Sequence, residues 1–278
     1  MSNAPKYFTN FKVHTQYSIC EGAIKIPELA EYCKLNKVPA LGLSDSYNLC
    51  GALEFSQEIS KAGTQPIIGS QINFKFSDTI GRIPIFAKTE LGFKNLIKLS
   101  SKSYLDIKEN DEPHCPIEDL FENKKDLLVL SGGINSLLFE LIKKNRNKEV
   151  ETVISEIKKN FSDLFYFEIQ RHNDEGEKNL EEIFLSLSGK FKLPIIASRE
   201  IYYINKDMHE AHDALLCVGK KTYVDERNRK RFSEEHYLKN SEEMEKIYNN
   251  LPEALENNYL FPFRFSYKLK KSDPVLPS

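Results

Sequence analysis

One pattern recurs along this chain and narrows its fold more than any other feature. A short apolar run ends in a cluster of polar residues, and a helical stretch follows. Pro39-Ala-Leu-Gly-Leu43 runs into Ser44-Asp-Ser-Tyr-Asn48, Pro66-Ile-Ile-Gly69 into Ser70-Gln71, and Pro194-Ile-Ile-Ala197 into Ser198-Arg-Glu200. Apolar runs without alternation are strands buried on both faces, and such strands belong to parallel sheets covered by helices. In that architecture the active or binding residues gather just past the carboxyl ends of the strands.

Read in order, residues 7–14 form the first strand, with Lys12 and His14 on one face and Val13 on the other, because side chains alternate along a strand. The spacing predicts helices over 27–37 (Pro27 near the start), 49–62 (with Gly63 as C-cap), 90–104, 135–145, 149–161, 175–191, 206–219, 240–249 and 252–260. Strands fall at 39–43, 66–76, 82–88, 126–130, 164–170 and 194–198, and 105–118 reads as a loop. Strand then helix, about seven times over, argues an α/β fold with a mostly parallel sheet. Periodicity favours a barrel but does not by itself decide between a barrel and an open sheet.

The 278 residues suit one barrel domain. With 39 basic and 41 acidic residues the net charge is -2, so no global field draws the chain to nucleic acid or to a membrane surface. Five unpaired-looking cysteines at irregular spacing argue against a disulfide framework and fit a reducing, cytoplasmic setting. No apolar run suggests a signal peptide or a membrane helix. Three prolines after residue 260 mark 263–278 as a linker following a domain of 1–262.

The polar clusters carry a resemblance. Phe11-Lys-Val-His-Thr-Gln-Tyr-Ser-Ile-Cys-Glu-Gly22, Ser44-Asp-Ser-Tyr-Asn-Leu-Cys-Gly51, Ile67-Ile-Gly-Ser-Gln71, Glu168-Ile-Gln-Arg-His172 and Ala197-Ser-Arg-Glu-Ile-Tyr-Tyr203 occur in one order along the chain, with Phe232 to Met244 after them. Together they resemble the PHP (polymerase and histidinol phosphatase) domain, in the form that opens the alpha subunit of bacterial DNA polymerase III. The resemblance implies a distorted seven-stranded (β/α)7 barrel. In metal-bearing members a ring of His, Asp, Glu and Cys at the strand ends holds up to three metal ions.

Position by position, the match is incomplete. His14, Asp45 and His172 stand where the family has ligands, and Glu200 replaces an Asp. Lys12, Ser46, Gln71 and Tyr202 stand where ligands are lost, and Gly133 falls where a Cys is common. A protonated lysine has no lone pair, and its charge repels a cation. A glutamine is neutral, and a tyrosine would have to lose a proton of pKa about 10 to serve as an anionic ligand. By this reading the vestigial positions hold no metal. Lys12, with Arg199 as a second contributor, replaces the missing positive charge by pairing with Asp45 or Glu200. Asp45 could also cap a nearby helix, and His209 and His212 read as helix-surface residues.

The resemblance implies a non-catalytic scaffold that docks the proofreading exonuclease subunit of a replicative polymerase. The DNA-directed polymerase activity would then belong to a longer parent protein, in a palm domain beyond Ser278. The alternative is an active metal-dependent phosphoesterase (3′-5′ exonuclease, pyrophosphatase or histidinol-phosphatase-like) with Zn or Mn at a residual site. A third reading, a DNA-contacting domain, is opposed by the charge balance.

Overall fold

The computed structural model describes residues 6–108, 111–226, 228–229 and 231–271. Its strands are β1 Ala40–Ser46, β2 Gln65–Phe76, β3 Thr79–Ala87, β4 Cys115–Pro116, β5 Leu127–Leu130, β6 Phe165–Ile169 and β7 Ile195–Ala197. The helices are α1 Ile26–Leu35, α2 Ala52–Lys61, α3 Glu90–Leu105, α4 Ile117–Glu122, α5 Leu137–Lys143, α6 Asn147–Phe161, α7 Glu177–Phe191, α8 His209–Lys220, α9 Ser241–Ile247 and α10 Pro252–Leu260. Local chemistry starts several of them. Pro27 sits in the first turn of α1, Thr89 and Ser136 cap α3 and α5, and Asn240 with Glu243 forms a capping box on α9.

The strand order is β1-β2-β3-β5-β6-β7, with β4 against β2. The segment around Val13 closes the ring. It bridges Leu43 of β1 and Ile201 beyond β7, through Ser44 N–H to Val13 O at 2.9 Å and His14 N–H to Ile201 O at 2.9 Å. The result is a distorted α/β barrel of seven staves, the first held by bridges rather than by a regular ladder. Gly42 permits this closure: a Cβ there would lie 2.4 Å from Phe11 Cα.

Two differences from the sequence reading have plain causes. First, β3 runs antiparallel to both β2 and β5. A two-residue turn, with Ser77 at φ +54, joins β2 to β3, so this pair departs from the mostly parallel sheet that was expected. Second, the stretch 105–118 is not all loop. Cys115 pairs with Phe74, and α4 begins at Ile117.

Alternation sorts the staves into an outer and an inner face. Leu41, Leu43, Ile68, Ile72, Ile85, Val129 and Phe167 face the helices, whereas Ala40, Ile67, Phe86, Leu128, Leu130, Tyr166 and Ile196 form a separate inner cluster. Phe261 and Phe265 complete that inner cluster from below; Phe261 stacks on Phe11 at 4.2 Å and meets Phe86 edge-on at 5.5 Å. The chain beyond residue 262, expected to be a linker, therefore continues along the barrel. Gln65 Nε2 donates to Phe265 O at 3.1 Å, and Ser56 Oγ donates to Leu269 O at 2.9 Å. Residues 272–278 of the expected linker lie outside the described residues. Among the described residues no helix is long and apolar enough to cross a membrane.

Candidate functional site

The inner face changes character along the barrel axis. Above the apolar layer, the same inward positions carry Lys12, His14, Gln71, Arg82, Glu168 and Gln170. A buried charge needs a partner, because moving it out of water costs far more than an unpaired contact returns. The mouth consists of such pairs.

Lys12 is fully buried, and its Nζ lies 2.8 and 3.0 Å from the two Glu168 oxygens and 2.5 Å from Glu200 Oε1. Burial alone would lower the lysine pKa, but the two carboxylates more than offset this and raise it, so the ammonium stays charged. Burial would likewise raise Glu200; Lys12 and the His14 hydrogen bond instead hold its carboxyl well below the usual range. His14 Nε2 sits 2.6 Å from Glu200 Oε2, and Gln71 Nε2 donates to the same oxygen at 2.8 Å. Gln170 Nε2 donates to Glu168 Oε1 at 2.6 Å. A Cβ at position 133 would come 2.1 Å from Gln170 Oε1, so the glycine there makes room for this amide.

Asp45 serves a different purpose. It accepts from Thr15 N–H at 2.6 Å, Thr15 Oγ1 at 2.8 Å and Ser18 Oγ at 2.7 Å, which pins the turn after the first stave. It caps neither a helix nor the Lys12 ammonium. Its pKa is raised, chiefly by burial. Arg199 does not join the charge replacement either. Its guanidinium donates to the carbonyls of Arg171 and Glu235, stapling two backbone segments together.

His172 accepts Glu200 N–H at its Nε2 (3.0 Å) and places Nδ1 2.5 Å from Glu177 Oε1. This fixes one neutral tautomer. Burial, then the neighbouring His236 and Arg199, push its pKa well below that of a free histidine. His236 stacks on it, with centroids 4.0 Å apart, and contacts Asp174 Oδ2 at 2.8 Å and Glu200 O at 3.1 Å. His172, Asp174 and His236 offer ligand atoms within 4.8 Å of one another, a group that could hold a metal ion. Both nitrogens of each ring already face an internal partner. Tyr202 is buried among the rings of His14, His212, His236 and Phe232. Burial, then Glu200 and Glu21, raise its pKa well above that of a free phenol, so it remains neutral.

The structure thus brings Lys12, His14, Gln71, His172, Glu200 and Tyr202 together, with Asp45 one serine away. Several participants were not picked out from the sequence. Glu168 was legible in principle: it lies two residues before Gln170 on β6, on the same inward face. Arg82 was hidden because β3 runs backwards and offers its beginning to the mouth. His236 comes from an irregular segment with no period. His212, expected at the surface, is buried and places Nε2 2.7 Å from Glu21 O.

Comparisons with known proteins follow the same lines. A curated DNA polymerase III subunit alpha of Caulobacter vibrioides is 35% identical over 279 residues, covering 98% of this chain and 24% of that protein. The Vibrio cholerae protein of the same name is 30% identical, with 98% and 24% covered. The chain therefore spans about a quarter of the length of these relatives. A solved two-domain protein of Bacteroides vulgatus, described as containing a predicted PHP-like metal-dependent phosphoesterase, overlaps 87% of this chain and 64% of its own, at 12% identity and a TM-score of 0.44. The family profile described as PHP domain matches residues 10–172, more than half of the chain, and this chain belongs to that family.

Proposed function

We propose that this chain is the PHP region of a replicative DNA polymerase alpha subunit, acting in the cytoplasm as a non-catalytic scaffold that docks the proofreading exonuclease subunit. Its metal ring has been replaced by internal cations. One observation carries the reading: an ammonium, that of Lys12, sits at the centre of the mouth between Glu168 and Glu200. A fixed cation there offsets half of the carboxylate charge that would otherwise attract a metal and repels any cation that approaches. The ligand set around it does not fit a catalytic metal cluster. Gln71 is neutral, Ser46 is committed to Glu21 at 2.6 Å, and the histidine nitrogens are already paired. Polymerisation would belong to the rest of a longer protein.

A second reading, a metal-dependent phosphoesterase, draws on the His172–Asp174–His236 group. A phosphoesterase assay separates the two. The purified chain should release no phosphate or nucleotide from nucleotide phosphoesters with Mn²⁺, Zn²⁺ or Mg²⁺. Turnover that chelation abolishes and that His14→Ala removes would overturn the scaffold reading in favour of the enzyme.

A further inference from the structure

A second cation reaches the mouth from the reversed stave. Arg82 projects inward from β3, with a side chain only 12% exposed. Its NH1 lies 3.0 Å from Glu21 Oε2 and 3.3 Å from Ser46 Oγ, and its NH2 reaches Glu21 Oε1. Nε and NH2 also donate to Tyr47 OH, at 2.9 and 2.6 Å. Tyr47 OH in turn lies 3.4 Å from Glu112 Oε1, which Asn73 Nδ2 holds at 2.9 Å. Two stretches distant in sequence therefore meet on one guanidinium, the turn ending at Gly22 and the exit of β1, and the loop carrying Glu112 joins them through Tyr47. Two parallel N–H donors on one carboxylate fix direction as well as distance, which a lysine could not do.

The turn that Glu21 belongs to is closed by its own backbone, with Glu21 and Gly22 N–H donating to Ser18 O at 2.9 and 2.8 Å, and Ser46 Oγ also donates to Glu21 Oε2 at 2.6 Å. Asp45 pins its base at Thr15 and Ser18, and the His212 contact to Glu21 O supports its end. Its tip is the 80% exposed Ile19, and Cys20 adopts φ +60. Ile19, Cys20 and Glu21 form one lip of a cleft of about 500 Å³ whose other walls include Arg82, Leu216 and Lys220.

We propose that Arg82 is a latch: by gripping Glu21 it holds the Gln16–Gly22 turn across the rim of the mouth and so sets the position of the lip that carries Ile19. The Lys12 cluster stabilises the centre, and the Arg82 cluster orders the edge. The pair is partly sheltered from water, so it retains more of its attraction than a surface pair does.

Amide hydrogen exchange on the intact chain tests this. Arg82→Met should speed exchange in residues 16–22 on the order of tenfold while leaving β5 and β6 unchanged. Glu21→Gln should act in the same direction. The double variant should be no worse than the worse single one, since both remove one interaction. Arg82→Lys should restore protection only in part. Unchanged exchange at 16–22 in Arg82→Met, or additive single effects, would overturn the latch. If Arg82→Met fails to fold, Glu21→Gln decides alone, and unchanged exchange there overturns the proposal. None of these readings involves phosphoester turnover or a partner protein, so they stand or fall apart from the scaffold function.

Discussion

Lys12 has no water to fall back on. It is buried with two carboxylates, and the sum at that point is one positive and two negative charges, eased by His14, Gln71 and Gln170. Removing the cation leaves Glu168 and Glu200 facing each other in a dry site. Lys12→Met should therefore destabilise the barrel by about 3 kcal/mol, read as a lowered denaturant midpoint. Replacing Lys12 together with Glu200 should recover much of that loss. A thermally neutral Lys12→Met would mean that the site relaxes or hydrates without cost. The buried histidines make a second prediction, about acid. Burial, chiefly, lowers His172 well below, and His212 to about 4 from, the 6.5 of a free histidine. A base with a depressed folded pKa binds fewer protons folded than unfolded. Its contribution is fully present above the unfolded value and is lost as pH falls below about 6.5, at up to about 1.4 kcal/mol per pH unit per histidine. Glu200, with its depressed pKa, acts in the same direction as pH falls through and below the carboxylate range, whereas Asp45 and Glu177, raised mainly by burial, take up protons above their ordinary values and oppose the imidazoles. The melting temperature should drop between pH 7 and pH 5, and His212→Gln should flatten the slope by roughly one proton's share. A flat profile across that window would contradict this account.

The elements show which parts of a barrel a sequence announces. Strands β1, β2 and β7 and helices α2, α3 and α7 stand out because burial on both faces and a 3.6-residue stripe leave distinct patterns. Strand direction leaves no such mark. A β3 that reverses after a two-residue turn has the same apolar composition as one that does not, so both its reversal and its inward Arg82 were out of reach. The site was legible where a polar residue follows an apolar parallel strand, as with His14, Gln71, His172 and Glu200. It was illegible where the side chain comes from an antiparallel stave or an irregular segment, as with Arg82 and His236. His212 could have been found: Leu216 follows it four residues later, on the same helix face, and both are buried. The stretch after Phe261 was read as a linker for another reason. Its prolines suggest an open chain, yet one of them lies in a short 3-10 turn that sets Phe261 and Phe265 against the barrel's lower layer. If that plug is structural, Phe261→Ala should cost about 3–5 kcal/mol in denaturant unfolding, the range for emptying a buried aromatic site. A loss below about 1 kcal/mol would mean that the plug has no structural role.

At the scale of the molecule, charge decides which partners are plausible. The chain carries 39 basic and 41 acidic residues. Among the described residues Lys12, Arg199 and Lys239 are buried, and so are Asp45, Glu168 and Glu177. Three charges of each sign cancel inside, and the surface keeps the small negative balance of the whole. Non-specific affinity for DNA comes mainly from neutralising phosphates, and this surface has no excess cations to do so. Protein partners need something else: exposed apolar side chains that burial would stabilise. Ile19 at 80%, Val218 at 72% and Tyr223 at 83% exposure are of that kind, and Gly219, next to Val218, lies against Cys20 beside Ile19. On the scaffold reading proposed above, the chain should co-elute with the proofreading exonuclease subunit on a sizing column at physiological salt and bind single-stranded DNA only weakly. If it fails to co-elute, and instead binds single-stranded DNA tightly with a steep loss of affinity as salt rises, the ranking of partners reverses. The site would then have to be sought among local basic clusters such as Lys268, Lys270 and Lys271 rather than at the rim of the mouth.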